Sequence, residues 1–149
     1  KLRNWGQDQR SGNYRMAAIQ AAILRVKLPH LEAWTIRRRF IASRYTELLR
    51  DTQLDLPLTM AYSGHAFHIY AIRSSQRNAL QEKLKAQGIE VGVHYPEAVH
   101  QKNNYSGLNY HTGDFPVAEQ LATEQLSLPI YPELPDEAVG KVAAAIRQP

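Results

Sequence analysis

The sequence predicts an α+β fold in which long N-terminal helices lead into a small sheet packed with helices. Two amphipathic stretches of helical periodicity fill residues 16–50, short β-branched and aromatic runs follow, and a last amphipathic stretch closes the chain. With 149 residues, 44% hydrophobic and 21% charged, the chain has the apolar content for a domain core and not the composition of disorder. It shows no internal repeat and no low-complexity tract.

The elements follow in order. Residues 1–15 hold the turn formers Gln7, Asp8, Ser11, Gly12 and Asn13 and read as irregular. From Met16, Ile19, Ile23 and Val26 recur at helical spacing until Pro29, which lacks an N–H and must end or kink the helix. A second helix is expected from about residue 30 to 50, with Leu31, Trp34, Ile41, Tyr45 and Leu48 as its apolar stripe. After a connection over 51–64, residues 66–72 read as the best strand. Ser74 or Ser75 then caps a helix running to about Gln87, with Leu80 and Leu84 on one face and Gly88 as its C′ residue. Residues 89–95 read as a second strand ended by Pro96, and 97–115 as a long polar loop. Pro116 suits the start of a helix to about Gln125, Leu126-Ser127-Leu128 is a candidate third strand, and 136–146 is an amphipathic helix through Val139, Val142 and Ile146.

Composition narrows the chemistry. The absence of cysteine excludes disulfides, thiolate zinc sites and cysteine nucleophiles. No apolar run approaches the roughly 20 residues of a membrane span, and the polar start has no signal-peptide core. A cytoplasmic location is the expectation from these features, as is a chain that is part of a longer protein, since it does not begin with Met. The net charge of +4 fits either an anionic ligand or a nucleic acid.

The polar candidates each have a plain reading and a functional one. Asn13 is a turn residue or a phosphate ligand, since its amide N–H₂ meets a phosphate oxygen without adding charge. Arg15 is a solvated cation at an electrostatically poor helix start, or a fork for a phosphate or carboxylate. His94, Tyr95 and His100 cluster where an expected strand feeds a long loop, a common place for ligand groups. His65 and His68, three apart in an expected strand, face opposite sides and make a poor metal pair, so no metal site is expected. Consecutive Arg37, Arg38 and Arg39 spread around a helix rather than forming one patch, and no nucleic-acid-binding signature accompanies them.

Segments in sequence carry a resemblance across the whole chain. They are Gly12 to Met16 with Ile19 to Leu24 and Leu28 to Leu31; Arg38 to Tyr45 with Leu48; His68-Ile69-Tyr70 with Arg77, Leu80 and Leu84 to Ile89; His94 to His100; and Phe115 to Glu119 running on to Leu126 to Pro132. Together they resemble the C-terminal portion of the sugar-nucleotide aminotransferases of the DegT/DnrJ/StrS type. The resemblance implies the C-terminal domain of a fold type I pyridoxal-phosphate (PLP) enzyme. The implied reaction aminates a nucleotide-linked keto-sugar, with glutamate or glutamine as donor, in a homodimer without membrane or nucleic-acid partner. It divides the chain into an interdomain and dimer-forming helical segment, 1–50, and a small α+β domain, 51–149. It implies that Asn13 reaches the partner subunit's PLP phosphate and that Arg15, His94, Tyr95 and His100 contact substrate.

Two departures stand beside the match. The family's cofactor-bearing lysine, the Asp for the pyridine nitrogen and the residue stacked on the ring all lie before the segment that matches Lys1–Gly6. The large PLP domain is therefore expected to be absent, and no residue of this chain is assigned as catalytic. Gly12 also abuts Asn13, where the family places one residue between them. The alternative reading is a non-catalytic module for dimerisation or nucleotide-sugar binding.

Overall fold

The computed structural model describes residues 16–148. The chain divides into two compact units, Lys1–Leu31 and Glu32–Pro149.

In the first unit, helix α1 spans Ala18–Lys27 and gives way to a 3₁₀ turn, Leu28–His30, that contains Pro29. The Gln20 side chain accepts the Ala17 N–H at 3.0 Å at the start of α1, and Arg25 and Lys27 face the negative dipole end in its last turn. No residue of α1 is buried.

Helix α2, Leu31–Leu49, belongs from Glu32 onward to the second unit and contributes Ile41, Ala42, Tyr45 and Leu49 to its core. Of the stripe expected along this helix, Ile41 and Tyr45 are buried, Trp34 and Leu48 half-buried and Leu31 exposed, while Leu49, outside that stripe, is buried. Tyr45 packs on Tyr70 with ring centroids 5.1 Å apart, and its hydroxyl donates to the Pro129 carbonyl at 3.0 Å. Burial pushes both phenols above their ordinary range.

Strands β1, Tyr70–Arg73, and β2, Gln125–Leu128, form an antiparallel pair in the register Tyr70↔Leu128 and Ile72↔Leu126. Isolated bridges flank the pair, Asp55 against Arg73 on one side and Gly92 against Ser127 on the other. Two strand expectations need correction. Residues 66–69 are not in the strand, because Phe67 takes φ +50° and breaks the extended path. Residues 89–95 are not a strand either, and only Gly92 joins the sheet. The apolar alternation there is real, since Ile89, Val91 and Val93 pack on the core, but it buries side chains without a hydrogen-bonded ladder.

Helix α3, Arg77–Ala86, ends as its sequence predicts. Gly88 takes φ +73°, its N–H bonds to Lys85 O, and the Ile89 N–H bonds to Leu84 O, which together make a Schellman closure. Helix α4, Pro116–Glu124, starts on its proline and feeds directly into β2. Helix α5, Asp136–Arg147, buries Val139, Val142, Ala143, Ala145 and Ile146. Its C-terminal end is held by Lys83, whose ammonium donates to the carbonyls of Ile146 and Gln148, and by Arg147 Nε, which donates to Leu48 O at 2.9 Å.

The arginine run on α2 acts as a set of staples. Arg37 donates to the carbonyls of Pro132 and Leu134 and pairs with Asp136, Arg38 reaches Phe67, His68 and Ile130, and Arg39 reaches Gly64 and His65. Their different directions are what helical geometry gives three consecutive residues. They clamp the segments before β1 and after β2 to α2.

Candidate functional site

The site is built where β2 meets Gly92. Ser127, 5% exposed, exchanges backbone hydrogen bonds with Gly92, at 3.1 Å from Gly92 N–H and 2.7 Å to Gly92 O. Its hydroxyl lies 3.0 Å from His94 Nδ1. The His94 ring lies so close over Gly92 that a Cβ added there would sit 2.6 Å from His94 Cε1. A glycine before the histidine and a buried serine beneath it therefore fix one imidazole nitrogen and leave Nε2 as the group available to a ligand.

Tyr95 follows through a cis peptide bond and is 67% exposed, with its ring edge-on to His94. The Lys102 ammonium stands 5.2 Å from the centre of the Tyr95 ring. An exposed phenol, an imidazole and an ammonium make a set of donors suited to phosphate oxygens and sugar hydroxyls.

His100 belongs to a second cluster. Its side chain is 8% exposed, its Nε2 lies 3.0 Å from Glu119 Oε1, and its ring packs on Phe115 at 4.8 Å. Glu119, in the first turn of α4, also accepts the Gly113 N–H with both oxygens, at 2.9 and 3.0 Å, and the Phe115 N–H at 3.4 Å. The Gly113 N–H above all, with Phe115 N–H and His100, holds the Glu119 carboxyl below its ordinary range against the opposing effect of burial.

The structure thus brings His94 and Tyr95 together and sets His100 on the loop that follows them. Asn13 and Arg15 lie outside the described residues. Sequence reasoning gave no role to Gly92, Lys102, Glu119 or Ser127. Glu119 carried a signal, an acidic residue in the first turn behind a helix-starting proline. Ser127 and Lys102 carried none, one being a small residue inside an apolar strand and the other a cation in a polar loop.

Other groups are committed elsewhere. His65 Nδ1 accepts the Phe67 N–H at 2.9 Å, and among the described residues no group of three or more His, Asp or Glu could hold a metal ion. Among them too, no helix is long and apolar enough to cross a membrane. A groove of about 700 Å³ beside α5, lined by residues such as Ile89, Tyr131, Leu134, Lys141 and Val142, includes none of the candidate residues.

The chain has relatives among known proteins. The sequence profile of the DegT/DnrJ/EryC1/StrS aminotransferase family matches residues 1–147. The chain is 41% identical over 153 residues to the erythromycin biosynthesis sensory transduction protein EryC1 of Saccharopolyspora erythraea, covering 98% of this chain and 42% of that protein. It is 35% identical over 154 residues to the dTDP-3-amino-3,4,6-trideoxy-alpha-D-glucose transaminase of Streptomyces venezuelae, covering 99% of this chain and 41% of that one. The crystal structure of S. venezuelae DesV with a ketimine intermediate superposes with a TM-score of 0.87 at 33% identity, over 99% of this chain and 40% of that chain. The chain spans about two fifths of the length of these relatives. The match across residues 1–147 and the likeness of its fold to that of these relatives have one account: the chain belongs to the DegT/DnrJ/EryC1/StrS aminotransferase family.

Proposed function

We propose that this chain is the C-terminal portion of a PLP-dependent aminotransferase that converts a nucleotide-linked keto-sugar to an amino-sugar with an amino-acid donor. The carrying observation is the His94–Tyr95–Lys102 group, a donor set with His94 and Tyr95 exposed and Lys102 half-buried, on a family scaffold. In this reading Tyr95 and Lys102 bind the substrate's phosphates or hydroxyls, His94 is oriented by Ser127 to donate from Nε2, and His100 shapes the loop beside them. Asn13 and Arg15 keep the roles that the family resemblance gives them, toward the partner subunit's PLP phosphate and toward substrate. The protein works as a homodimer in the cytoplasm.

The described residues do not form a PLP site. Lys83 is spent on the end of α5 and Lys102 stands over Tyr95, while Lys27, Lys85 and Lys141 are exposed on helices. No chemical step is therefore assigned to this chain. Its own work is to bind and orient substrate, and the 149 residues alone are proposed to be inactive.

The same observation favours a second reading, a non-catalytic nucleotide-sugar-binding or dimerisation module. Titration calorimetry with dTDP-glucose and a transamination assay with PLP and glutamate test both. Binding without turnover by the chain, and turnover once it is joined to a PLP domain, is the result expected of the first reading. Binding with no turnover in either form would leave the module, and turnover by the chain alone would overturn both.

A further inference from the structure

Residues 103–118 include no buried residue, and their regular structure before α4 is a single 3₁₀ stretch, Asn103–Leu108. A segment so poor in buried apolar contact depends on its polar ties and on the ring contacts of Phe115 with His100 and Tyr110. Asp114 accepts the His111 N–H, and the other ties that close the segment's C-terminal end onto α4 converge on one carboxylate. Glu119 takes Gly113 N–H on both oxygens, Phe115 N–H on one, and His100 Nε2 on that same oxygen. Its own backbone is fixed by Glu119 N–H to Phe115 O at 3.0 Å. The approach needs Gly113, whose φ of +98° is a conformation that side chains rarely adopt.

We infer that Glu119 is the positioning residue of the candidate substrate loop, closing residues 100–115 onto α4 and fixing the proton of His100 on Nε2. An ionised carboxylate can only accept, so each group facing it must donate. His100 therefore presents Nε2–H to Glu119, and in the neutral imidazole its Nδ1 is the acceptor. The positioning role rests on the reading of this loop as substrate-facing; the hydrogen-bond geometry does not.

The alternatives at position 119 differ in chemistry. Glutamine has one acceptor oxygen, so its N–H₂ must face the Gly113 N–H, which contacts both carboxylate positions, and in one of its two orientations also faces the Phe115 N–H and His100. Aspartate is one methylene shorter. The test is amide hydrogen exchange and ¹⁵N spectroscopy of histidine on the full chain, wild type and Glu119→Gln. Wild-type His100 is expected in the Nε2–H form. In Glu119→Gln, protection of the Gly113 and Phe115 amides is expected to fall about tenfold while the amides of β1 and β2 keep theirs. An Nδ1–H tautomer in the wild type, or unchanged Gly113 exchange in the variant, overturns the inference. The tautomer measurement stands even where the variant fails to fold. Addition of dTDP-glucose to the wild type is expected to shift the His100 ring signals. A probe that binds without moving them overturns the positioning role alone, whereas a probe that does not bind overturns the functional reading beneath it.

Discussion

Arg38 Nη1 lies 2.8 Å from the carbonyl oxygen of Ile130, two residues beyond the end of β2. The same nitrogen stands 3.3 Å from the carbonyls of Phe67 and His68, just before β1. One guanidinium on α2 thus satisfies acceptors at the entry and the exit of the two-stranded sheet. Arg38→Ala leaves those carbonyls short of a donor and is expected to lower stability by about 2 kcal/mol. Lysine, a point donor without the planar fork, is expected to restore only part of it. Arg39→Ala, on the exposed carbonyls of Gly64 and His65, is expected to cost less than about 1 kcal/mol. Equal losses in denaturant titrations of the two alanine variants would contradict this assignment.

Gly92 and His94 make a second prediction, on the site rather than the scaffold. The Cβ of Gly92→Ala would come within 2.6 Å of His94 Cε1, so the imidazole must swing away from Ser127. The ring is a side chain that can move, and the expected loss of stability is modest, about 1 kcal/mol. The expected loss of dTDP-glucose affinity is about tenfold. Ser127→Ala removes the same anchor from the other side and is expected to weaken binding in the same direction. Calorimetry on the two variants checks this, and unchanged affinity in both would remove His94 from the binding set.

Much of the framework was legible because single residues dictate local geometry. Pro29 and Pro116 mark helix boundaries, Gly88 marks a C′ position, and Val139, Val142 and Ile146 sit on one buried face. The errors came where a pattern had two physical solutions. Val91 and Val93 alternate like a strand and pack inward like one, yet only Gly92 finds a sheet partner. Phe67 reads as strand by propensity, but the carbonyls around it are claimed by Arg38 and Arg39, a long-range fact invisible to local pattern. The site was half legible for the same reason. His94 and Tyr95 stand out beside a proline, whereas Ser127 and Glu119 act through partners 33 and 19 residues away.

The Glu119 carboxylate gives a pH prediction with a definite sign. Hydrogen bonding lowers its pKa from the ordinary 4.5, with the Gly113 N–H as the largest contribution. A carboxyl lowered by folding stabilises the closed loop above its unfolded pKa, and that contribution disappears as pH falls through the folded value. Protection of the Gly113 amide, corrected for intrinsic exchange, is therefore expected to be flat from neutrality to 4.5 and to decline only below it. Asp114, which accepts the His111 N–H at 2.8 Å, is the neighbouring carboxylate in the turn, and Asp114→Asn is expected to keep the decline. A loss beginning near neutrality would mean that another group closes the loop.

Helix α1 leaves apolar side chains without cover. Ile19 is 71% exposed, Ile23 and Leu24 are each 51% exposed, and Val26 is 71% exposed. Apolar surface of this density on one helix favours association, at roughly 25 cal/mol for each Å² removed from water. The chain alone is expected to form concentration-dependent oligomers. Ile19→Glu combined with Ile23→Glu is expected to shift them toward monomer. The core amides of the second unit should keep their protection, because α1 contributes no buried residue. Light scattering over a dilution series decides the point. A wild-type monomer at every concentration would show that this exposed face does not drive self-association, and loss of core protection in the double variant would show that α1 supports the fold rather than an interface.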